Sequence, residues 1–135
     1  MIARRDRRPQ IRRLQDRRDR LCSYDPTMEL SEYQRLSRST AQYPRNEALT
    51  YPALGLAGEA GEFADHAKKV IRDDGGEVTA GRREAMAKEL GDVLWYIAQL
   101  ASELELDLDE VAQANLEKLL SRQRRGVLSG SGDDR

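Results

Sequence analysis

Aromatic residues are scarce in this chain: one Trp, one Phe and five Tyr among 135 residues. No stretch alternates apolar with polar residues as a half-buried strand does, so a sheet domain has little to build from. Cysteine occurs once, as Cys22, which excludes an internal disulfide and fits a reducing, cytoplasmic setting. No apolar run approaches the roughly 18 residues of a membrane span. No apolar h-region marks the first residues, so no signal peptide is expected.

Charge and small aliphatics are what the chain has instead. Charged residues make up 35% of it, and Leu and Ala dominate the apolar remainder, a mix that favours one all-helical domain. The net charge of -1 hides an asymmetry. Residues 1–20 carry nine Arg and three Asp, whereas the rest carries 14 basic and 21 acidic residues. The Arg-rich segment has too few apolar residues to offset the entropy of ordering, so residues 1–26 read as a disordered extension. A solvated leader, from a start upstream of Met28, is one reading of it. A tether to nucleic acid or another anionic surface is the other, and only through this tail would nucleic acid be a partner.

Helical periodicity begins at Thr27 and runs to about residue 125, which bounds the expected domain at 27–125. A first helix is expected over about 28–41, with Thr27 as N-cap and Pro44 beyond its end. A second runs from about 50 to 72, with Pro52 tolerated in its first turn. "DDGGEVT" is the connecting loop, and Thr79 caps a third helix over about 80–105. Asp107 with Glu110 opens a fourth over about 108–124. "GVLSGSGDDR", residues 126–135, reads as a flexible tail. The expected architecture is a four-helix-bundle-type fold with short connections.

"LAGEAGEF" (Leu56–Phe63) and "MAKELGDV" (Met86–Val93) share a layout in which an i, i+3 acid pair lies beside an apolar stripe. On the second helix the stripe is Leu56, Ala60, Phe63, Ala67 and Val70, with Glu59 at its edge and Glu62 one step round. On the third it is Met86, Leu90, Val93, Ile97 and Leu100, with Glu89 and Asp92 placed alike. A short connection makes the two helices antiparallel neighbours, so four carboxylates converge on one seam. Ionised acids at such a seam repel, and burial adds to the cost, so they protonate, pair with Lys or Arg, or bind a cation. An all-oxygen set selects a hard ion, Mg²⁺ or Mn²⁺. Surface salt bridging to Lys68, Arg72 and Lys88 is the plain alternative, but two matched pairs at two core edges favour the metal. Gly58, Gly61 and Gly91 each cost a helix about 1 kcal/mol relative to Ala. They are expected where helices or a ligand approach closely.

Basic groups suggest a phosphate site. Lys69 lies two turns beyond Glu62 on the same face. The fourth helix carries a stripe of Leu108, Val111, Ala112, Leu116 and Leu119, with Asn115 inside it and Lys118 and Arg122 at its border. These three could hold phosphates, or Lys118 and Arg122 could answer Glu117 and the helix C-terminus. His66, the sole histidine, follows Glu62 by four residues and reads as a partly exposed surface histidine or a further ligand. The Glu-x-x-His motif of di-iron bundles is missing. Trp95, opposite the third helix's stripe, makes that helix apolar nearly all round, so a subunit interface is expected to cover it.

"GLAGEAGEFADHAKK", "KELGDVLWYIAQLA" and "NLEKLLSRQRRG" together resemble the MazG-like nucleotide pyrophosphohydrolases, an all-α superfamily. The resemblance spans about residues 28–135. It implies a helical bundle assembled as a homodimer or homotetramer, and Mg²⁺-dependent hydrolysis of nucleoside triphosphates to monophosphate and pyrophosphate. It implies Glu59, Glu62, Glu89 and Asp92 as metal ligands and catalytic residues, and Lys69, Asn115, Lys118 and Arg122 as substrate contacts. Many members have Glu-Glu-x-x-Glu in the first motif, where this chain has Gly58. The first helix would supply base contacts, with Gln34 and Tyr43 as candidates. The alternative from another class is a non-enzymatic helical interaction module with the acids as surface charge.

Overall fold

The computed structural model describes residues 27–127, all of whose regular structure is helical. The expectations for residues 1–26 and for the tail beyond Val127 lie outside these described residues. Four α-helices follow in order: α1 (Leu30–Ser37), α2 (Thr50–Arg72), α3 (Ala80–Glu103) and α4 (Leu108–Arg124). Two 3₁₀ turns, Arg38–Thr40 and Arg45–Glu47, connect α1 to α2.

The boundaries follow from local chemistry. Pro52 sits buried in the first turn of α2, where its missing N–H costs no hydrogen bond. The α2–α3 loop needs two left-handed residues in succession, and glycine occupies both, Gly75 at φ 65° and Gly76 at φ 87°. The Gly76 N–H then closes the helix end by donating to the Val70 carbonyl at 2.9 Å. Thr79 caps α3 by accepting from the Arg82 N–H at 3.2 Å. Asp107 caps α4 by accepting from the N–H groups of Asp109 and Glu110 at 2.8 and 3.2 Å.

α1 departs from the expectation. It starts three residues after Thr27, and its N-cap residue, Glu29, makes no side-chain cap. The cap comes from α4 instead: the Asp109 carboxylate accepts from the N–H groups of Leu30 and Ser31, both at 3.1 Å. The Ser31 side chain first, and then these two backbone bonds, hold the Asp109 carboxyl below its usual range.

α2 and α3 form the main packed pair and α1 lies across α3. Leu30 and Tyr33 of α1 pack on Ala98, Ala101 and Leu108, the small core shared with α3 and α4. A polar seam runs beside it. Gln99 is fully buried, donating to Ser37 Oγ and accepting from Arg38 Nη1, both at 3.2 Å. Arg38 is ion-paired to Glu103, which also accepts from the Tyr43 hydroxyl at 2.6 Å. These donors, Tyr43 first and then Arg38, hold the Glu103 carboxyl below its usual range. Gln34 bonds to Ser102 Oγ, the Leu106 carbonyl and the Leu108 N–H at 3.1, 2.9 and 2.9 Å, stapling α1 to the α3–α4 turn. Both residues expected to meet a base, Gln34 and Tyr43, are thus engaged in holding the fold.

On the second face of α3, Trp95 is half-buried within the chain. The Trp95 indole donates to Thr40 Oγ1 at 2.8 Å and meets Tyr96 edge to face at 4.9 Å. Of the apolar stripe expected to be core, Met86, Val93 and Leu100 of α3 are half-buried, whereas Leu90 and Ile97 are 54% and 36% exposed. On α4 only Leu108 of the expected stripe is buried, and Val111, Leu116 and Leu119 face outward with Asn115.

Candidate metal site

The helical hairpin sets the site. Position falls along α3 as it rises along α2: Gly55 meets Tyr96, Glu59 interacts with Asp92, and His66 reaches Glu89 and Arg82. The helices are therefore antiparallel, which brings Glu59 of α2 opposite Glu89 and Asp92 of α3. One carboxylate oxygen from each of Glu59, Glu89 and Asp92 lies within 4.8 Å of the other two. Glu59 and Glu89 are half-buried and Asp92 is exposed.

Burial and neighbouring carboxylates act together on Glu59. The Glu59 carboxyl is pushed above its usual range by burial first, then by the charges of Glu62, Asp92 and Glu89 and a hydrogen bond with Glu89. Burial raises the Tyr33 hydroxyl, with Asp92 adding to it, and raises the Tyr96 hydroxyl, with Tyr51, Glu59 and Asp92 adding. Both tyrosines thus feel the same negative field, one from α1 and one from α3. Oxygen donors at spacing that one ion could span fit a hard divalent cation.

Not every expected residue joins this trio. Glu62 lies outside it, exposed on α2, yet is the first charge acting on Glu59. Lys69 is ion-paired with Asp65 at 2.7 Å. Asp65 also pairs with Lys68, and these two ammonium groups, Lys68 first, hold its carboxyl far below the usual range. Asn115 and Lys118 are exposed on α4, whose extensive contacts are with α1. Arg122, near the end of α4, is 5% exposed.

The glycines part company with expectation. A Cβ at Gly58, Gly61 or Gly91 would meet nothing within 4 Å. The close approach lies one turn away at Gly55, where a Cβ would stand 2.2 Å from the Tyr96 ring. Within one copy, close helix approach is at Gly55 and not at these three, because spacing alone does not say which glycine faces the neighbouring helix.

His66 is half-buried. Its Nε2 stands 3.6 Å from Glu89 Oε1, and its Nδ1 lies 3.1 Å from Arg82 Nη1. Arg82 is tied through Nε to Asp74 at 2.9 Å. Arg82 and Asp74 carry no motif, and only the fold brings them beside the histidine.

Residues 49–127 match the family model described as the MazG nucleotide pyrophosphohydrolase domain. The "Gene 37 protein" of Mycobacterium phage L5 is 47% identical over 114 residues, which is 80% of this chain and the whole of that protein. No solved structure matches the chain.

Proposed function

The chain belongs to the MazG nucleotide pyrophosphohydrolase domain family, and from that premise we propose that it hydrolyses nucleoside triphosphates to a monophosphate and pyrophosphate with Mg²⁺ as cofactor. The observation that carries this reading is the converging trio Glu59, Glu89 and Asp92, with the Glu59 carboxyl raised by its neighbours. These three residues would hold the ion, with Glu62, expected as a fourth ligand, standing beside them on α2. A bound Mg²⁺ or Mn²⁺ supplies charge stabilisation on phosphate oxygens and acidifies a water.

The chain's own groups have separate tasks. Water attacks the α-phosphorus, a new P–O bond forms, and the bond to the α–β bridging oxygen breaks, so both terminal phosphates leave together. Glu62, outside the trio, takes the proton of the attacking water. Lys69, Asn115, Lys118 and Arg122 bind the phosphates and balance the charge that grows on pyrophosphate. Nucleotide-pool cleaning is a role that suits this chemistry.

A homo-oligomer, dimer or tetramer, belongs to the same proposal. Leu90 and Ile97 on α3 and Leu116 on α4 are large apolar side chains open in one copy, and a second copy would cover them. No extensive contact joins α4 to α2 within one copy, so assembly is also a route by which α4 side chains approach a seam.

Chromatography of products from several triphosphates tests the reaction. Monophosphate and pyrophosphate, formed with Mg²⁺ and abolished by excess chelator, are expected. Diphosphate with inorganic phosphate, or turnover indifferent to chelator, would overturn it.

A further inference from the structure

We infer that His66 is a positioning residue that orients Glu89 for the cation, and that Asp74 and Arg82 set it in place; the inference rests on the metal reading above. Four polar side chains run in file from the α2–α3 loop to the acid trio: Asp74, Arg82, His66 and Glu89. Their side chains are 16%, 18%, 20% and 15% exposed, although most charged groups on the hairpin are open to solvent. Charged groups shielded to this degree need partners, and here each has the next.

The direction of the file follows from what each group is able to donate. A guanidinium has only donors. Arg82 Nη1, 3.1 Å from His66 Nδ1, therefore requires that nitrogen to accept. The proton of the neutral ring then resides on Nε2, the nitrogen that faces Glu89. Arg82 has little freedom to do otherwise: its Nε donates to Asp74 at 2.9 Å, and its backbone is fixed by the Thr79 cap at 3.2 Å. Asp74 in turn lies in the loop whose two left-handed glycines fix its path.

At 3.6 Å the Nε2–Glu89 approach is an attraction short of a formed hydrogen bond. Glu89 meanwhile has a carboxylate oxygen within 4.8 Å of one from Glu59. An ion that takes over the Glu59–Glu89 contact leaves Glu89 in need of a donor, and Nε2–H is beside it. A donor on one carboxylate oxygen restricts the side chain's rotation and leaves the other oxygen for a ligand role. His66 touches neither substrate nor reacting atoms in this arrangement.

The test uses the full chain and Mn²⁺ alone, without nucleotide, with affinity read by electron paramagnetic resonance. His66→Phe is expected to weaken Mn²⁺ binding about tenfold or more, with the circular dichroism and the metal-free melting temperature unchanged. His66→Gln keeps a donor near the place of Nε2 and should recover most of the affinity. His66→Asn keeps only a group near Nδ1 and should bind as weakly as the Phe variant. Because the chain has one histidine, ¹⁵N spectra of the ring give one unambiguous set of signals. They should report the Nε2–H tautomer in the wild type and a mixture in Arg82→Met.

Wild-type affinity in the Phe variant would overturn the inference while leaving the metal site standing. So would a Gln variant no better than Asn, or a ring protonated on Nδ1. A wild-type chain that binds no Mn²⁺ would overturn the metal reading and this inference together. Should the Phe variant fail to fold, the Gln and Asn pair and the Arg82 spectra carry the test.

Discussion

Glu59 is the residue at which the cost of the acid cluster is concentrated. Its carboxyl is raised by burial and by three neighbouring acids. A group raised in the folded state contributes stability below its unfolded pKa, near about 4.3 for Glu, and loses it as pH rises through the folded value. Glu103 and Asp109 are depressed and act oppositely: their stabilisation is present above the ordinary carboxylate range and is lost as pH falls through their folded values. In chelator, Glu59→Gln should therefore raise the melting temperature at pH 7, by an amount that shrinks as pH falls towards the usual Glu value. With Mg²⁺ the same variant should lose the rise in melting temperature that the ion gives the wild type, since binding to the folded state alone stabilises it. Thermal melts at two pH values, with and without chelator, read both effects. A Gln variant less stable than wild type in chelator at pH 7 would contradict the repulsion at Glu59. Glu62 separates from its neighbour in kinetics. As the proton acceptor, Glu62→Gln should lower kcat by about 10²- to 10⁴-fold while the variant still binds Mn²⁺ through the trio. Retention of full kcat would remove Glu62 from that role.

Among the elements, the α2–α3 hairpin was the most legible in the sequence and the position of α1 the least. Thr50–Arg72 and Leu108–Arg124 agree with the expected second and fourth helices, because local signals end them: a first-turn proline, a pair of loop glycines and an Asp N-cap. Three of the four acids converge as their spacing from an apolar stripe suggests. α1 starts later than its local pattern suggests because its cap is Asp109, 79 residues away from Leu30, a contact no local pattern records. Periodicity identifies an apolar face but not which neighbour covers it. The glycines give a test at this scale. Gly55→Ala places a methyl group against the Tyr96 ring. It should cost about 1–3 kcal/mol as overpacking, read by urea unfolding. Tyr96→Leu makes room, so the double variant should lose less than the sum of the two single ones. An additive double variant would show that the hairpin does not close at Gly55.

The whole molecule poses a question of cover. Among the described residues the buried apolar side chains are Val70, Ala98, Ala101 and Leu108, a small core for helices of this length. Leu90 and Ile97 lie exposed on α3, the same helix that carries Glu89 and Asp92. The Trp95 indole bonds to Thr40 of its own chain, so a substitution there would also disturb the protomer. Ile97 is the better probe: it lies two turns from Glu89 and Leu90 and makes no part of the Gln99 or Glu103 network. If a second copy covers Leu90 and Ile97, Ile97→Asp places a charge in an apolar contact, where it is strongly unfavourable without a partner. Light scattering of the full chain should then give a dimer or tetramer for the wild type and a smaller species for Ile97→Asp. The monomeric species should keep its helical circular dichroism, because Ile97 lies outside the α1–α3 core. Should the substrate contacts of α4 come from the second copy, Ile97→Asp would also raise KM for the triphosphate, even with Mn²⁺ affinity retained, since Glu59, Glu89 and Asp92 all belong to one hairpin. A wild type that is monomeric at micromolar concentration would remove the second copy from the proposal and leave the hairpin site to act alone.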